Sequence, residues 1–473
     1  MNELGKKIRR RLEPSHWVIL LYAAAIFIGG VALRLPVAQL KPVAFIDTLF
    51  ISASAITVTG LSTVNVAESF TFFGQVMIMV LIQLGGLGIL TVSSVFTIML
   101  GRAVSMRGSG VFFDSFSISH QIDFKKLMKA VLFLMFSFEA LGTAILTADW
   151  AHTMGWRKAF FAAMFHSVAA FCNAGISIFP NGLIGFEKDA VAEFTIAGLI
   201  IAGGLGFITI SEIYRRRHGL IPGRLRRMFA RQGEEAVPRQ SWSLQTRVVL
   251  VYSALLVGLG MMGYFAFELN NTLEGRPFGD QLMLSFFHSV GARTAGFQNV
   301  DFADLNNTTL NMIILLMFIG TAPGSTGGGV KVTTFAIMAA LAVSRARGFE
   351  AVHVANRAIP EQTLSRAIAI LSISVALLLT FITMLLITEG ETAGHAARSV
   401  HGHFLEIVFE AVSAFGTVGY SMGITGSLSG MGKMLIILLM MVGKLGPLTI
   451  ALAVTARARA RLYQLSEESV MVG

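Results

Sequence analysis

The sequence predicts an all-α integral membrane protein with eight transmembrane helices, arranged as a four-fold pseudo-repeat of span, re-entrant loop and span. Three observations carry that expectation. The 473-residue chain is 54% hydrophobic and only 14% charged, against about 25% charge in a soluble domain, and its mean hydropathy is +0.70. Its apolar runs are long enough to cross a bilayer and lack the alternating ~10-residue segments of a membrane barrel. Finally, one short apolar segment ending in a small-residue turn with a single glycine occurs four times.

The elements follow in order. Residues 1–15 form a cytoplasmic N-terminus; Met1–Glu13 has no cleavage signature, and the first apolar run, Val18–Leu35, is too long and too late for a signal peptide. Repeat 1 covers 16–110, with spans at about 16–35 and 72–100 around the short segment Asp47–Ser62. Repeat 2 covers 111–230, with spans at about 128–148 and 191–213 around Lys158–Ser177. Repeat 3 covers 231–357, with spans at about 247–267 and 309–343 around Asp280–Gln298. Repeat 4 covers 358–456, with spans at about 366–388 and 431–455 around Phe404–Gly419, and 457–473 is a cytoplasmic tail. The short segments hold about a dozen apolar residues each, too few to cross a ~30 Å core at ~1.5 Å per residue. Phe-His-Ser-Val occurs in two of them, at Phe165–Val168 and Phe287–Val290. Three of the second spans also share a glycine-rich centre, at Gln83–Thr91, Ile201–Thr209 and Val442–Thr449.

Charge fixes the orientation. The net charge is +10 and the isoelectric point near 9.9. The basic residues clump at Lys6–Arg11, at Arg102 to Lys129, at Arg215 to Arg231, at Arg345 to Arg366 and at Arg457 to Arg461, whereas the other connections carry most of the acids. The positive-inside rule makes the basic connections cytoplasmic, so both termini lie inside and the number of spans is even. Basic clusters placed this way serve topology and lipid headgroups, and no nucleic acid is expected. The one cysteine, Cys172, excludes a disulfide framework within the chain and a cysteine-based metal cluster.

The four glycines, Gly60, Gly175, Gly296 and Gly419, lie 115, 121 and 123 residues apart. Non-helical backbone at membrane depth survives only where it is buried or lines water. Carbonyls turned inward can replace the hydration shell of a cation, and glycine takes the required backbone angles at the least steric cost. Four such glycines, one per unit, predict a central pore. Thr417-Val418-Gly419-Tyr420 resembles the filter strand of a potassium channel; the other three repeats keep little more than the glycine, which predicts a short carbonyl ring.

With Val58-Thr59-Gly60, Asn173-Ala174-Gly175, Thr294-Ala295-Gly296 and Thr417-Val418-Gly419 in these places, the chain resembles the superfamily of potassium transporters that includes KtrB, TrkH and the plant HKT proteins, and is most similar to the KtrB branch. The resemblance covers essentially the whole chain. It implies that these twelve residues form a selectivity filter holding K⁺ at backbone carbonyls, with glycine in all four positions favouring K⁺ over Na⁺. It also implies a homodimer in a bacterial inner or plasma membrane, controlled by a cytoplasmic ring of KtrA-like nucleotide-binding regulatory subunits. No cofactor is expected in this chain itself; the nucleotide belongs to the partner.

The third repeat has its own feature. Thr308 to Val343 is 36 residues, roughly 54 Å as a straight helix, so it should break, at Gly320–Lys331. A floppy small-residue plug there, carrying Gly324, Ser325, Thr326, Gly327, Gly328, Gly329 and Lys331, would obstruct ions beneath the filter, and it resembles the intramembrane gate loop of the family. A nucleotide P-loop is excluded because Lys331 lies between valines, with no Gly-Lys-[Ser/Thr]. Lys444, inside the last span, is a costly membrane cation; the family places an arginine there beside the gate loop. Of the other polar residues, His166 and His288 are expected to pack, Arg293, Cys172 and Asn173 to brace the filter loop, and Glu410 to meet filter backbone. No nucleophile–base pair or metal constellation supports an enzyme. Two readings stay open: a gated passive K⁺ pore, and a secondary K⁺ transporter coupled to Na⁺ or H⁺ by symport, for which Asp47, Glu139 and Glu410 are the acidic candidates in the spans.

Overall fold

The protein is described by a computed structural model over residues 14–88, 124–218, 242–355, 357–390 and 402–447. Most of the basic clusters, the N-terminal Lys6–Arg11 and the tail 457–473 lie outside the described residues.

Each repeat opens with a long apolar helix: α1 (Pro14–Leu33), α4 (Phe124–Met154), α8 (Leu244–Glu268) and α12 (Glu361–Glu389). All four contain stretches long and apolar enough to cross a membrane. Each is followed by a shorter helix: α2 (Phe45–Thr57), α5 (Trp156–Phe171), α9 (Phe278–Gly291) and α13 (His403–Gly416). Burial inverts the usual relation between long and short elements. Ten of the 14 residues of α13 are buried, but only six of the 29 in α12. The short helices are therefore the core. The long ones form a shell whose outer side chains, such as Leu379 at 58% exposure and Ile387 at 71%, meet hydrocarbon instead of water.

The second-span helices are α3 (Phe72–Leu87), α6 (Ala190–Gly204) continued by α7 (Phe207–His218), α10 (Asn307–Phe318) continued by α11 (Val332–Ala346), and α14 (Gly430–Leu445). A two-stranded ribbon, β1 (His353–Val354) with β2 (Arg357–Ala358), joins repeats 3 and 4. In repeats 3 and 4 an acidic residue at the end of the first span caps the second. The Asn306 N–H donates to Glu268 Oε1 at 2.9 Å and the Ser429 N–H to Glu389 Oε2 at 3.0 Å, each carboxylate sitting at the positive end of a helix.

The repeats close into a ring, because each second span packs on the short helix of the next repeat: α3 on α5, α6 on α9, α10 on α13, and α14 back on α2. The closing seam carries an ion pair, Lys433 Nζ to Asp47 Oδ1 at 2.8 Å. Close approach within each repeat explains part of the glycine-rich centres. A Cβ on Gly85, Gly203 or Gly443 would lie within 2.2 Å of the carbonyl oxygen of Ile56, Phe171 or Phe415, each four residues before the ring glycine of its repeat.

One expectation needs correction. A break was expected only in the third repeat. The second repeat breaks as well: α6 and α7 meet at 102°, with Gly206 at φ +82°. Gly88 and Gly446, at the same place in repeats 1 and 4, also have positive φ, at 77° and 86°, and end α3 and α14. The last glycine of the shared glycine-rich centre lies just past the end of the helix. The remainder of those two spans, 89–100 and 448–455, lies outside the described residues.

Candidate functional site

The site grows from the C-terminal ends of the four short helices, which converge. In repeat 1 the Val58 N–H donates to Ala55 O at 3.2 Å and the Thr59 N–H to Ser54 O at 2.8 Å. This is a Schellman-type end, which needs a left-handed residue just past the helix. Repeats 2 and 4 repeat it with Ala174 N–H to Ala169 O at 2.7 Å and Val418 N–H to Ser413 O at 2.9 Å. Repeat 3 is one residue tighter: the Ala295 and Gly296 N–H groups both donate to Gly291 O, at 3.0 and 3.2 Å.

The left-handed residues are Val58, Asn173, Thr294 and Thr417, with φ of 50°, 58°, 74° and 48°. None is glycine, and a non-glycine residue there costs on the order of 1–2 kcal/mol. Two residues on, Gly60, Gly175, Gly296 and Gly419 again have positive φ, at 99°, 59°, 62° and 100°. All four repeats thus carry the same backbone sequence: left-handed residue, Thr59, Ala174, Ala295 or Val418, then glycine.

The glycines touch around a closed circle. A Cβ on Gly60 would lie 2.6 Å from Ala174 O, one on Gly175 2.4 Å from Ala295 O, one on Gly296 2.1 Å from Val418 O, and one on Gly419 2.3 Å from Thr59 O. Each glycine lies against the carbonyl that precedes the next one, and the fourth returns to the first. No side chain fits, and the carbonyls of four repeats are gathered at one level. The twelve residues singled out in the sequence are brought together here, and all but Gly60 and Gly175 are buried.

The segment between α10 and α11 lies against this ring. Ile319 and Val330 pair as a parallel bridge, and the chain between them is not floppy, contrary to expectation. Ala322 N–H donates to Gly204 O at 3.1 Å, Thr326 N–H to Gly203 O at 3.3 Å and Gly329 N–H to Gly443 O at 3.2 Å. Gly324 O accepts from Phe207 N–H at 3.1 Å. The Gly328 N–H donates to Thr417 Oγ1 at 2.9 Å, and a Cβ on Gly327 would lie 2.2 Å from Thr294 Oγ1. Two ammonium groups hold consecutive loop carbonyls: Lys444 Nζ donates to Thr326 O at 2.5 Å and Lys331 Nζ to Gly327 O at 2.7 Å. Ser325 closes the turn, its hydroxyl 2.7 Å from that of Thr321. The loop is thereby pinned to repeats 2, 3 and 4, directly against the left-handed residues.

The other candidates fall as follows. Arg293 donates to Ser253 O and Gly320 O, both at 3.2 Å, and so ties the start of the 319–331 loop to α8. The Asn173 amide and the Thr294 hydroxyl are 2.9 Å apart, and the amide satisfies both its ends when its oxygen faces that hydroxyl. Cys172 lies behind the ring, its Sγ 3.9 Å from Glu139 Oε1. His166 stacks on Phe179 at 4.6 Å and His288 on Tyr264 at 4.8 Å. Glu410 does not meet filter backbone; it accepts from the Thr425 hydroxyl, because α13 turns that face away from the ring. Of the acidic candidates for coupling, Asp47 is paired with Lys433, and Glu139 accepts from the Gln83 amide at 3.0 and 3.1 Å.

Two features escaped the sequence reading. Ser54 and Ser413, each six residues before a ring glycine, donate nothing to that glycine but accept its N–H at 3.0 and 3.1 Å; the shared spacing is a usable signal. The break at Gly206, which provides docking for the loop, was signalled only by its glycine-rich run.

Fold and site define a multi-pass membrane protein of four pseudo-repeats closed around one axis. The chain belongs to the TrkH family of cation transport proteins, which matches residues 7–460; it is a transporter, not an enzyme. It is 33% identical over 471 residues to the Ktr system potassium uptake protein B of Vibrio alginolyticus, covering 99% of this chain and 97% of the relative. It is 32% identical over 480 residues to the potassium/sodium uptake protein NtpJ of Enterococcus hirae, with full coverage of both. The crystal structure of the potassium transporter TrkH from Vibrio parahaemolyticus superposes with a TM-score of 0.68, at 18% identity, over 93% of this chain and 84% of that one.

Proposed function

We propose that this protein takes up K⁺ across a cell membrane through a gated, K⁺-selective pore, with both termini in the cytoplasm. The observation that carries this reading is the closed circle of Gly60, Gly175, Gly296 and Gly419, each against a neighbouring carbonyl. A dehydrated monovalent cation fits such a ring because backbone oxygens replace its water. The loop 319–331 is the gate, and Lys331 and Lys444 hold it under the filter while adding positive charge that opposes a cation there. The names of the relatives, potassium uptake proteins of the Ktr system among them, agree with this substrate.

The gate faces the cytoplasm, and its control is assigned to separate nucleotide-binding subunits docking on the basic cytoplasmic connections. The membrane part is a homodimer, each protomer holding its own pore. A second reading, Na⁺-coupled uptake, draws on the potassium/sodium name of the Enterococcus relative. Coupling to H⁺ is less favoured, because Asp47, Glu139 and Glu410 are each engaged by a neighbouring side chain.

Flux through the reconstituted protein under an imposed voltage, with and without Na⁺, tests the reading. A passive pore gives K⁺ flux that follows the voltage and persists without Na⁺. Flux that stops without Na⁺ and moves Na⁺ in fixed proportion to K⁺ establishes the coupled transporter instead.

A further inference from the structure

Ser54 and Ser413 occupy the same place in repeats 1 and 4, six residues before the ring glycine, and both are fully buried. Each uses two oxygens. The backbone carbonyls cap the helix, accepting from Thr59 N–H at 2.8 Å and from Val418 N–H at 2.9 Å. The hydroxyls reach one residue further and accept from Gly60 N–H at 3.0 Å and from Gly419 N–H at 3.1 Å.

The cap does not require the hydroxyl. Repeat 2 has Ala169 in that place and makes the same cap with its backbone alone, Ala174 N–H to Ala169 O at 2.7 Å. What the hydroxyl adds is a hold on the next peptide. A trans peptide is planar, and its N–H and C=O point in opposite directions. Anchoring Gly60 N–H behind the ring therefore aims Thr59 C=O the other way, and anchoring Gly419 N–H does the same for Val418 C=O. Those are the oxygens that lie 2.3 Å from a Cβ built on Gly419 and 2.1 Å from one built on Gly296. In repeat 3 the backbone serves instead, Gly296 N–H donating to Gly291 O at 3.2 Å. In repeat 2 Ala169 offers no hydroxyl, and among the described residues Gly175 N–H has no partner. A glycine flanked by positive-φ backbone has little else to stop its peptide from rotating.

We propose that Ser54 and Ser413 are positioning residues for cation selectivity: their hydroxyls lock two of the four ring carbonyls toward the ion, and the Ala174–Gly175 peptide of repeat 2 is the loose member of the ring. This rests on the reading of the ring as the selectivity filter.

The test uses the full-length protein in cells lacking other K⁺ uptake, measuring K⁺ and Na⁺ uptake from matched concentrations and the amount of protein in the membrane. Loss of one buried hydrogen bond is expected to lower the K⁺/Na⁺ ratio about fivefold in Ser54→Ala and in Ser413→Ala. Ser54→Thr, which keeps the hydroxyl, should retain the ratio, and Ala169→Ser should raise it. Gly60→Ser serves as the control on the filter itself. A ratio unchanged in both alanine variants while Gly60→Ser lowers it overturns the proposal and leaves the filter standing. A ratio unchanged in Gly60→Ser as well removes the filter, and the proposal with it. Should the alanine variants not reach the membrane, Ala169→Ser decides alone, and an unaltered ratio there counts against the proposal.

Discussion

The glycine ring and the loop beneath it lie against each other and obey opposite rules. The ring is nearly four-fold: the same left-handed residue, the same spacing and the same glycine recur in every repeat, each against its neighbour's carbonyl. Among the described residues the loop occurs once. It is the third repeat's answer to a position where repeats 1, 2 and 4 place Gly88, Gly206 and Gly446, and its bonds run to repeats 2, 3 and 4. A cation stripped of water needs oxygens on all sides, so every repeat must contribute alike. Closing a pathway needs one movable element only, and four copies would compete for one axis. On the proposed reading, symmetry is kept where the ion is surrounded and abandoned where it is stopped.

The comparison breaks most visibly in the ring. Gly296→Ala sets a Cβ 2.1 Å from Val418 O, and overpacking of a well-packed core costs about 1–3 kcal/mol. Uptake of K⁺ should fall to background while the protein still reaches the membrane; wild-type uptake in that variant would remove Gly296 from the ring. At the loop, deleting Gly327–Gly329 removes the bonds to Thr417 and Gly443. Basal K⁺ flux should rise several-fold with insertion unchanged, and flux equal to the parent's would reduce the segment to a kink. Lys444→Met should have a smaller effect in the same direction, since one charge-assisted hydrogen bond contributes roughly 1.5–3 kcal/mol; Lys444→Arg should restore much of the control. The smallest effect belongs to Glu410→Gln. Its partner Thr425 lies off the ring, so about 1 kcal/mol of stability is expected to go, read as a lower melting temperature in detergent, with ion selectivity unaltered.

Much of this was legible in the sequence, for local reasons. A glycine spaced 115 to 123 residues from its counterparts, inside an apolar segment too short to span, is a signature written in one place. So is the Pro323 and glycine run that breaks the third repeat. The left-handed conformation of Val58, Thr294 and Thr417 was not legible, because these residue types do not announce positive φ, unlike Asn173; the helix end and the neighbouring repeats impose it. The loop's firmness was hidden for a similar reason. Its small residues look floppy in the sequence, yet they are small so that Gly203, Gly204, Gly443 and Thr417 can bond their backbone directly. The direction of Glu410 depended on which face of α13 the ring selected, and an apolar helix followed by a turn does not specify that face.

The division of labour between the two levels is tested most directly by the K⁺/Na⁺ uptake ratio, measured side by side in Gly60→Ser and Lys444→Met. Gly60→Ser puts a side chain 2.6 Å from Ala174 O in the ring, and its ratio should fall toward one. Lys444→Met touches only the loop, so its uptake rate should change while its ratio stays at the parent's value. A parental ratio in Gly60→Ser, or a lowered one in Lys444→Met, would contradict the assignment of selection to the ring and of closure to the loop.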